Sequence, residues 1–167
     1  MSITRIKVLV EGPTEEKFVK EILYPQLVHH NIFIEPVTVC NKVEKSGKRH
    51  KGGYTPYSSI KKQIKNFLGD SSLTYVTTMF DYYALYHDFP GMDSPISGKA
   101  YEKVAFLEDK LKNDIGDMRL IPYIQLHEFE ILLFSSIDGI SNFTSNQVII
   151  NEFQEIITQY PNPEDIN

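Results

Sequence analysis

The apolar run Arg5 to Val10 stops on Glu11, turns through Gly12 and Pro13, and enters a segment of helical periodicity. No other stretch constrains the fold as much. Ile6, Val8 and Val10 alternate with Lys7 and Leu9, which suits a buried strand, and a carboxylate at its end stands where parallel α/β sheets place their sites. Pro13 pre-sets φ for helix entry, Thr14 suits the N-cap, and Glu15 and Glu16 suit the positive end of the helix dipole. Helix capping alone can account for Glu15 and Glu16. Nothing in capping asks for Glu11.

Further apolar runs read as strands over Ile32 to Cys40, Leu73 to Phe80, Leu120 to Ile124, and a short stretch near Val148. Between them, Phe18, Val19, Ile22, Leu23 and Leu27 mark a first helix. Ile60, Ile64, Phe67 and Leu68 mark a second, and Val104, Phe106, Leu107, Leu111 and Ile115 a third. Strands alternating with helices of this length predict βαβ units, hence an α/β fold with a mainly parallel sheet flanked by helices. Ser94 or Ser97 is placed to cap the third helix, and Gly69 and Gly116 sit where helices should stop. Asn41 to Thr55 has no periodicity and holds Gly47, Gly52 and Gly53, so a mobile basic loop able to close over a ligand is expected.

At 167 residues and 41% hydrophobic, the chain suits one domain spanning 1–167 with a sizeable core. It ends on QYPNPEDIN, a turn-rich stretch expected where a longer protein has been cut short. Cys40 is the single cysteine and lies in an apolar stretch, which suits a buried thiol in a reducing compartment. With no signal-peptide pattern and no apolar run near the roughly 18 residues a span needs, a cytoplasmic protein without a membrane partner is expected.

The total charge of −5 hides a bipolar distribution. Lys42 to Lys65 carries eight Lys and Arg against Glu44 alone, a net +7, which leaves −12 on the rest of a chain totalling −5. Such a strip is either a solvated face or a phosphate contact; Lys48, Arg49, Lys51, Lys61 and Lys62 are its candidate nucleic-acid-binding residues.

The run Leu73 to Phe80 delivers Asp81, and Leu120 to Ile124 leads into LHEFEILLF with Glu128 and Glu130. In a parallel sheet these ends share an edge with Glu11, and carboxylates brought close need a cation. Hard oxygens with scarce Cys and His suit Mg2+ or Mn2+ better than zinc. Glu128 is the stronger of its pair, because residues two apart on a helix point apart and Glu130 equally suits a solvated face. Asp81 could instead serve a turn, and Asp88 reads as a loop acid. Tyr82, Tyr83, Tyr86 and Phe89 could stack on bases or pack the loop. His127 and Glu128 do not begin a zinc-protease HExxH, since Ile131 occupies the second His position, and GPTEEK lacks the GK[ST] of a P-loop.

The segment VEGPTEE, Val10 to Glu16, resembles the strand-Glu-Gly turn of TOPRIM domains, in the EGxxE form of the OLD nucleases. With Asp81, the KGG of Lys51 to Gly53 and the HEFE of His127 to Glu130, the pattern is similar to TOPRIM-like proteins encoded beside ATPases. The resemblance implies a Rossmann-like TOPRIM fold and a Mg2+-dependent (or Mn2+-dependent) nuclease acting on nucleic acid, with an ATPase partner in phage defence. It also implies roles. Glu11, Asp81 and Glu128 would be catalytic, and Glu11, Glu15, Asp81, Glu128 and Glu130 would supply metal ligands. The second acid of the DxD motif falls on Tyr83, a phenol and a poor magnesium ligand. That departure favours the alternative of a degenerate, non-catalytic module that binds nucleic acid or a partner ATPase. Oligomeric state stays open, with a homo-oligomer compatible.

Overall fold

The computed structural model describes residues 3–39, 42–43, 49–50, 55–94, 98–126 and 145–160, with backbone alone at 42–43 and 49–50. The chain divides into two compact units, Met1–Gln125 and Leu126–Asn167.

The first unit is built on β1 (Thr4–Val10), whose Val8, Leu9 and Val10 are almost wholly buried. Burying each of those side chains is worth roughly 1.5–3 kcal/mol, so β1 belongs at the centre of a sheet. It pairs in parallel with β2 (Ile32–Thr38) on one side and with β5 (Tyr75–Asp81) on the other. Among the described residues β2 closes the order on its side with one neighbour, which explains why Pro36 is tolerated within it. Between these strands, β3 (Lys42–Val43) and β4 (Arg49–His50) form a short antiparallel ladder inside the stretch expected to be a loop.

β5 buries alternate residues, Val76, Thr78 and Phe80, and pairs in parallel with β6 (Leu120–Ile121) and then β7 (Ile124–Gln125). The expected strand Leu120 to Ile124 is thus broken in the middle, because Pro122 has no N–H for a ladder. Register is kept across the gap by Thr78, buried at 1% exposure. Its hydroxyl donates to the Tyr123 carbonyl at 2.9 Å and accepts the Tyr123 N–H at 3.0 Å, standing in for the missing rungs.

Gly12, not Thr14, is the N-cap of α1 (Pro13–Phe18), with Pro13 at its first position. The helix widens by one i→i+5 turn over Val19–Leu23 and continues as α2 (Tyr24–Leu27). The Tyr24 N–H reaches back to the Val19 carbonyl, and Pro25, which has no N–H, fits in the turn that follows. α3 (Tyr57–Leu68) buries Ile60, Ile64 and Leu68 at i, i+4 and i+8. α4 (Ala100–Ile115) buries Val104, Leu107, Leu111 and Ile115 and stops at Gly116, whose φ of 73° is the left-handed C-cap conformation. Glu102 rather than a serine caps its start, accepting the Lys99 N–H at 2.7 Å; Ser97 lies outside the described residues. The first unit is therefore α/β with a parallel main sheet flanked by helices.

In the second unit the stretch near Val148 is helix, not strand: α5 spans Gln147–Gln159, and Asn146 Oδ1 accepts the Val148 N–H at 3.1 Å. The run Val148 to Ile150 suggests a strand when read alone, but Phe153, Ile156 and Ile157 continue it at helical spacing and, with Ile150, are the partly buried positions of the helix. Among the described residues no helix is long and apolar enough to cross a membrane.

Candidate active site at the carboxyl edge of the sheet

The strand order β2-β1-β5-β6 sends the chain from β1 to one side and, later, from β5 to the other. Neighbouring strands that lead away in opposite directions leave a crevice at their carboxyl ends, where open α/β sheets bind ligands. Glu11 follows β1 and Asp81 ends β5, so the two acids named from sequence flank that crevice. Glu11 Oε2 lies 3.4 Å from the Asp81 backbone N–H, a long contact that spans the two strand ends. The edge continues to Gln125, register partner of Asp81, buried at 4% exposure and accepting the Tyr123 hydroxyl.

The turn beneath Glu11 is fixed by its own sequence. Glu15 is 7% exposed, and its Oε2 accepts the Gly12 N–H at 2.8 Å. Its carboxylate serves the turn, and the ligand role implied by resemblance would require it to leave Gly12. Glu16 ties the helix to the next strand, taking the Thr38 hydroxyl at 2.6 Å and the Lys20 ammonium at 2.7 Å. The Val39 N–H donates to the Val10 carbonyl at 2.9 Å, closing the base of the turn. Thr38 escaped the sequence reading, since its partner is set by how β2 registers on β1.

The other strand end is built differently. After Asp81 a 3-10 turn, Tyr82–Ala84, leads into a loop where Tyr83 is 61% and Tyr86 44% exposed. The Tyr82 and Tyr83 rings meet edge-on at 5.2 Å. Tyr83, at the second DxD position, thus faces solvent. Phe89 is 3% exposed and packs edge-on against Tyr57 at 5.6 Å. Asp88 Oδ2 accepts the Tyr57 N–H at 2.8 Å and caps α3, whose own N-cap, Pro56, has no side chain able to do so.

Between the two strand ends lies a cavity of about 270 Å³ bounded by Glu11, Thr38, Tyr57, Phe80, Tyr86 and Phe89. The Tyr57 hydroxyl donates to Asp114, and burial together with that carboxylate drives the phenol pKa far above its ordinary value. Burial alone would push the Asp114 carboxyl up, but hydrogen bonds from Lys61 and Tyr57 outweigh it and hold the carboxyl below the usual range. Lys61, one of the candidate phosphate contacts, is thus paired with Asp114 at 2.8 Å, while Lys62 is exposed. Lys48, Lys51, Glu128 and Glu130 lie outside the described residues, and Arg49 is described by backbone alone.

Among the described residues no group of three or more His, Cys, Asp or Glu is arranged to hold a metal ion. The pair Glu11 and Asp81 does fit the hard-oxygen chemistry of magnesium, which takes one or two carboxylates and keeps much of its water. Comparison with curated proteins and with solved structures gives no match. The sequence model of DUF4276, a domain of unknown function, matches residues 10–167, from the Glu11 turn onward, and the chain belongs to that family.

Proposed function

We propose that the protein is a TOPRIM-type, magnesium- or manganese-dependent nucleic-acid phosphodiesterase whose acidic edge is Glu11 and Asp81. The observation that carries this reading is the meeting of these two carboxylate-bearing strand ends, 70 residues apart in sequence, at the switch point of a parallel sheet. Glu11 and Asp81 would hold the cation, with Glu128 or Glu130 as the further ligand that the resemblance implies. The bound ion supplies charge for the phosphate and lowers the pKa of its water. Glu11, exposed at the crevice, would either be a ligand of that cation or, as general base, orient the attacking water and accept its proton. Glu15 keeps the Gly12 turn in shape, so that Glu11 is presented from a rigid support. Lys62, with Lys48, Arg49 and Lys51, would contact phosphates beyond the scissile one. An ATPase partner and a place in phage defence follow from the resemblance alone.

The test is nicking of plasmid DNA and cleavage of RNA under magnesium or manganese titration, with Glu11→Ala and Asp81→Asn as controls. Cation-dependent cleavage lost in both variants supports the reading. A second reading, a module that binds nucleic acid or a partner ATPase without cutting, is favoured by one observation: Tyr83 is exposed at the second DxD position. Nucleic-acid binding without cleavage, with the ATPase present, would establish it. Under the first reading Tyr83→Asp raises activity, because an exposed position accepts the acid without repacking.

A further inference from the structure

The cavity is bounded by Glu11 on one side, and most of its remaining wall is apolar and aromatic. Phe80 and Phe89, each 3% exposed, form apolar wall, Tyr57 stands edge-on to Phe89, and Tyr86 sits at 44% exposure on the loop. The polar groups that join them are Glu11, Thr38, Thr55 and Asp88. At about 270 Å³ the space is at the small end of ligand pockets and takes one planar ring system, not a base pair or a helix. The wall formed by the first turn of α3 is followed on that helix by Lys62 and Lys65, both exposed. An occupant that is flat and neutral inside the cavity and anionic outside it matches all of these features.

We propose that this cavity receives one unpaired nucleobase of the substrate strand, making single-stranded nucleic acid the preferred class. The inference rests on the phosphodiesterase reading and adds its substrate. The base slides between the aromatic walls, Asp88 accepts an exocyclic amine as carboxylates do, and the phosphate attached to that nucleotide stays at the mouth beside Glu11. In a duplex the bases are stacked and paired, and extruding one costs free energy that a single strand does not spend. Tyr83 and Tyr86 offer neighbouring bases a surface on which to stack.

The experiment measures binding of short labelled DNA and RNA strands in EDTA at low salt, so that no cleavage intervenes. The probes are single strands, their duplexes, and strands of abasic sites. Single strands are expected to bind about tenfold more tightly than duplex or abasic strands. Ala84→Trp, which fills the cavity from its wall, should erase that preference with Tm retained; Tyr86→Ala, an exposed position, should weaken it and serves if the first variant does not fold. Lys62→Ala should weaken all probes alike. Equal binding of single strand and duplex, or a preference that survives in folded Ala84→Trp, overturns the base pocket while cation-dependent cleavage leaves the phosphodiesterase reading standing. No binding to any probe also overturns the base pocket, with a protein partner's side chain then the occupant to seek, and cleavage under magnesium or manganese decides the phosphodiesterase reading separately.

Discussion

The two strand ends that carry Glu11 and Asp81 are held by opposite means. After β1 the chain is locked by short-range polar contacts: Glu15 on Gly12, Glu16 on Thr38, and Val39 on Val10. After β5 the loop is anchored by buried Phe89 and by Asp88 on the start of α3, while Tyr83 and Tyr86 are largely exposed. A site built this way has a rigid side that presents a reactive carboxylate and an adaptable side that meets the substrate. Catalytic geometry demands the first and recognition of varied sequence the second.

The comparison breaks at once if the two acids are not equivalent in cleavage. Glu11→Ala should reduce magnesium-dependent nicking by several orders of magnitude, and Asp81→Asn by nearly as much; a tenfold loss in either would show that its strand end is peripheral. In stability the largest effect should come from the adaptable side, because its anchor Phe89 is buried. Phe89→Ala should cost about 3–5 kcal/mol in denaturant unfolding and release the loop, seen as faster proteolysis there. On the rigid side, Glu15→Ala should cost about 1–2 kcal/mol, whereas Glu15→Gln, which keeps an acceptor for the Gly12 N–H, should cost less. A Glu15→Gln cost equal to that of Glu15→Ala would mean that charge, not the hydrogen bond, holds the turn.

The smallest expected effect concerns the start of β7. Glu108 on α4 accepts the Ile124 N–H at 2.8 Å, and burial pushes its pKa above the ordinary 4.5, an effect the hydrogen bond only partly offsets. With the folded pKa raised, folding favours the protonated form. That contribution is complete below pH 4.5 and is lost as pH rises through the folded value. Thermal unfolding across this range should therefore show a decline with rising pH, and Glu108→Gln, still an acceptor, should flatten it. A decline unchanged in the variant would assign it to another carboxylate.

The positions of Glu11 and Asp81 were legible in the sequence because the continuous apolar end of β1 and the alternating burial of β5 mark where each strand stops. The Pro122 break was legible in principle, since proline cannot sit in a continuous inner ladder; its repair by Thr78 was not, because that pairing spans 45 residues. Asp88 looked like a loop acid for the same reason, its partner at Tyr57 being 31 residues earlier. Glu15 was ambiguous from the start: a carboxylate in the first turn satisfies both a cap and a ligand role, and only the path of its side chain decides which it fills here. The apolar run at Val148 misled because three residues cannot distinguish a period of 2 from one of 3.6.

The hydrogen bond from Tyr57 to Asp88 has a mechanical consequence. It makes the tyrosine loop and the first turn of α3 two ends of one lever: a loop that swings outward withdraws its carboxylate from the Tyr57 amide, the first of the helix. Fraying of that turn would then follow the loop's motion with no signal crossing the sheet. Amide exchange at Tyr57 should thus report the loop's position, slow when it rests on the helix and fast whenever it lifts.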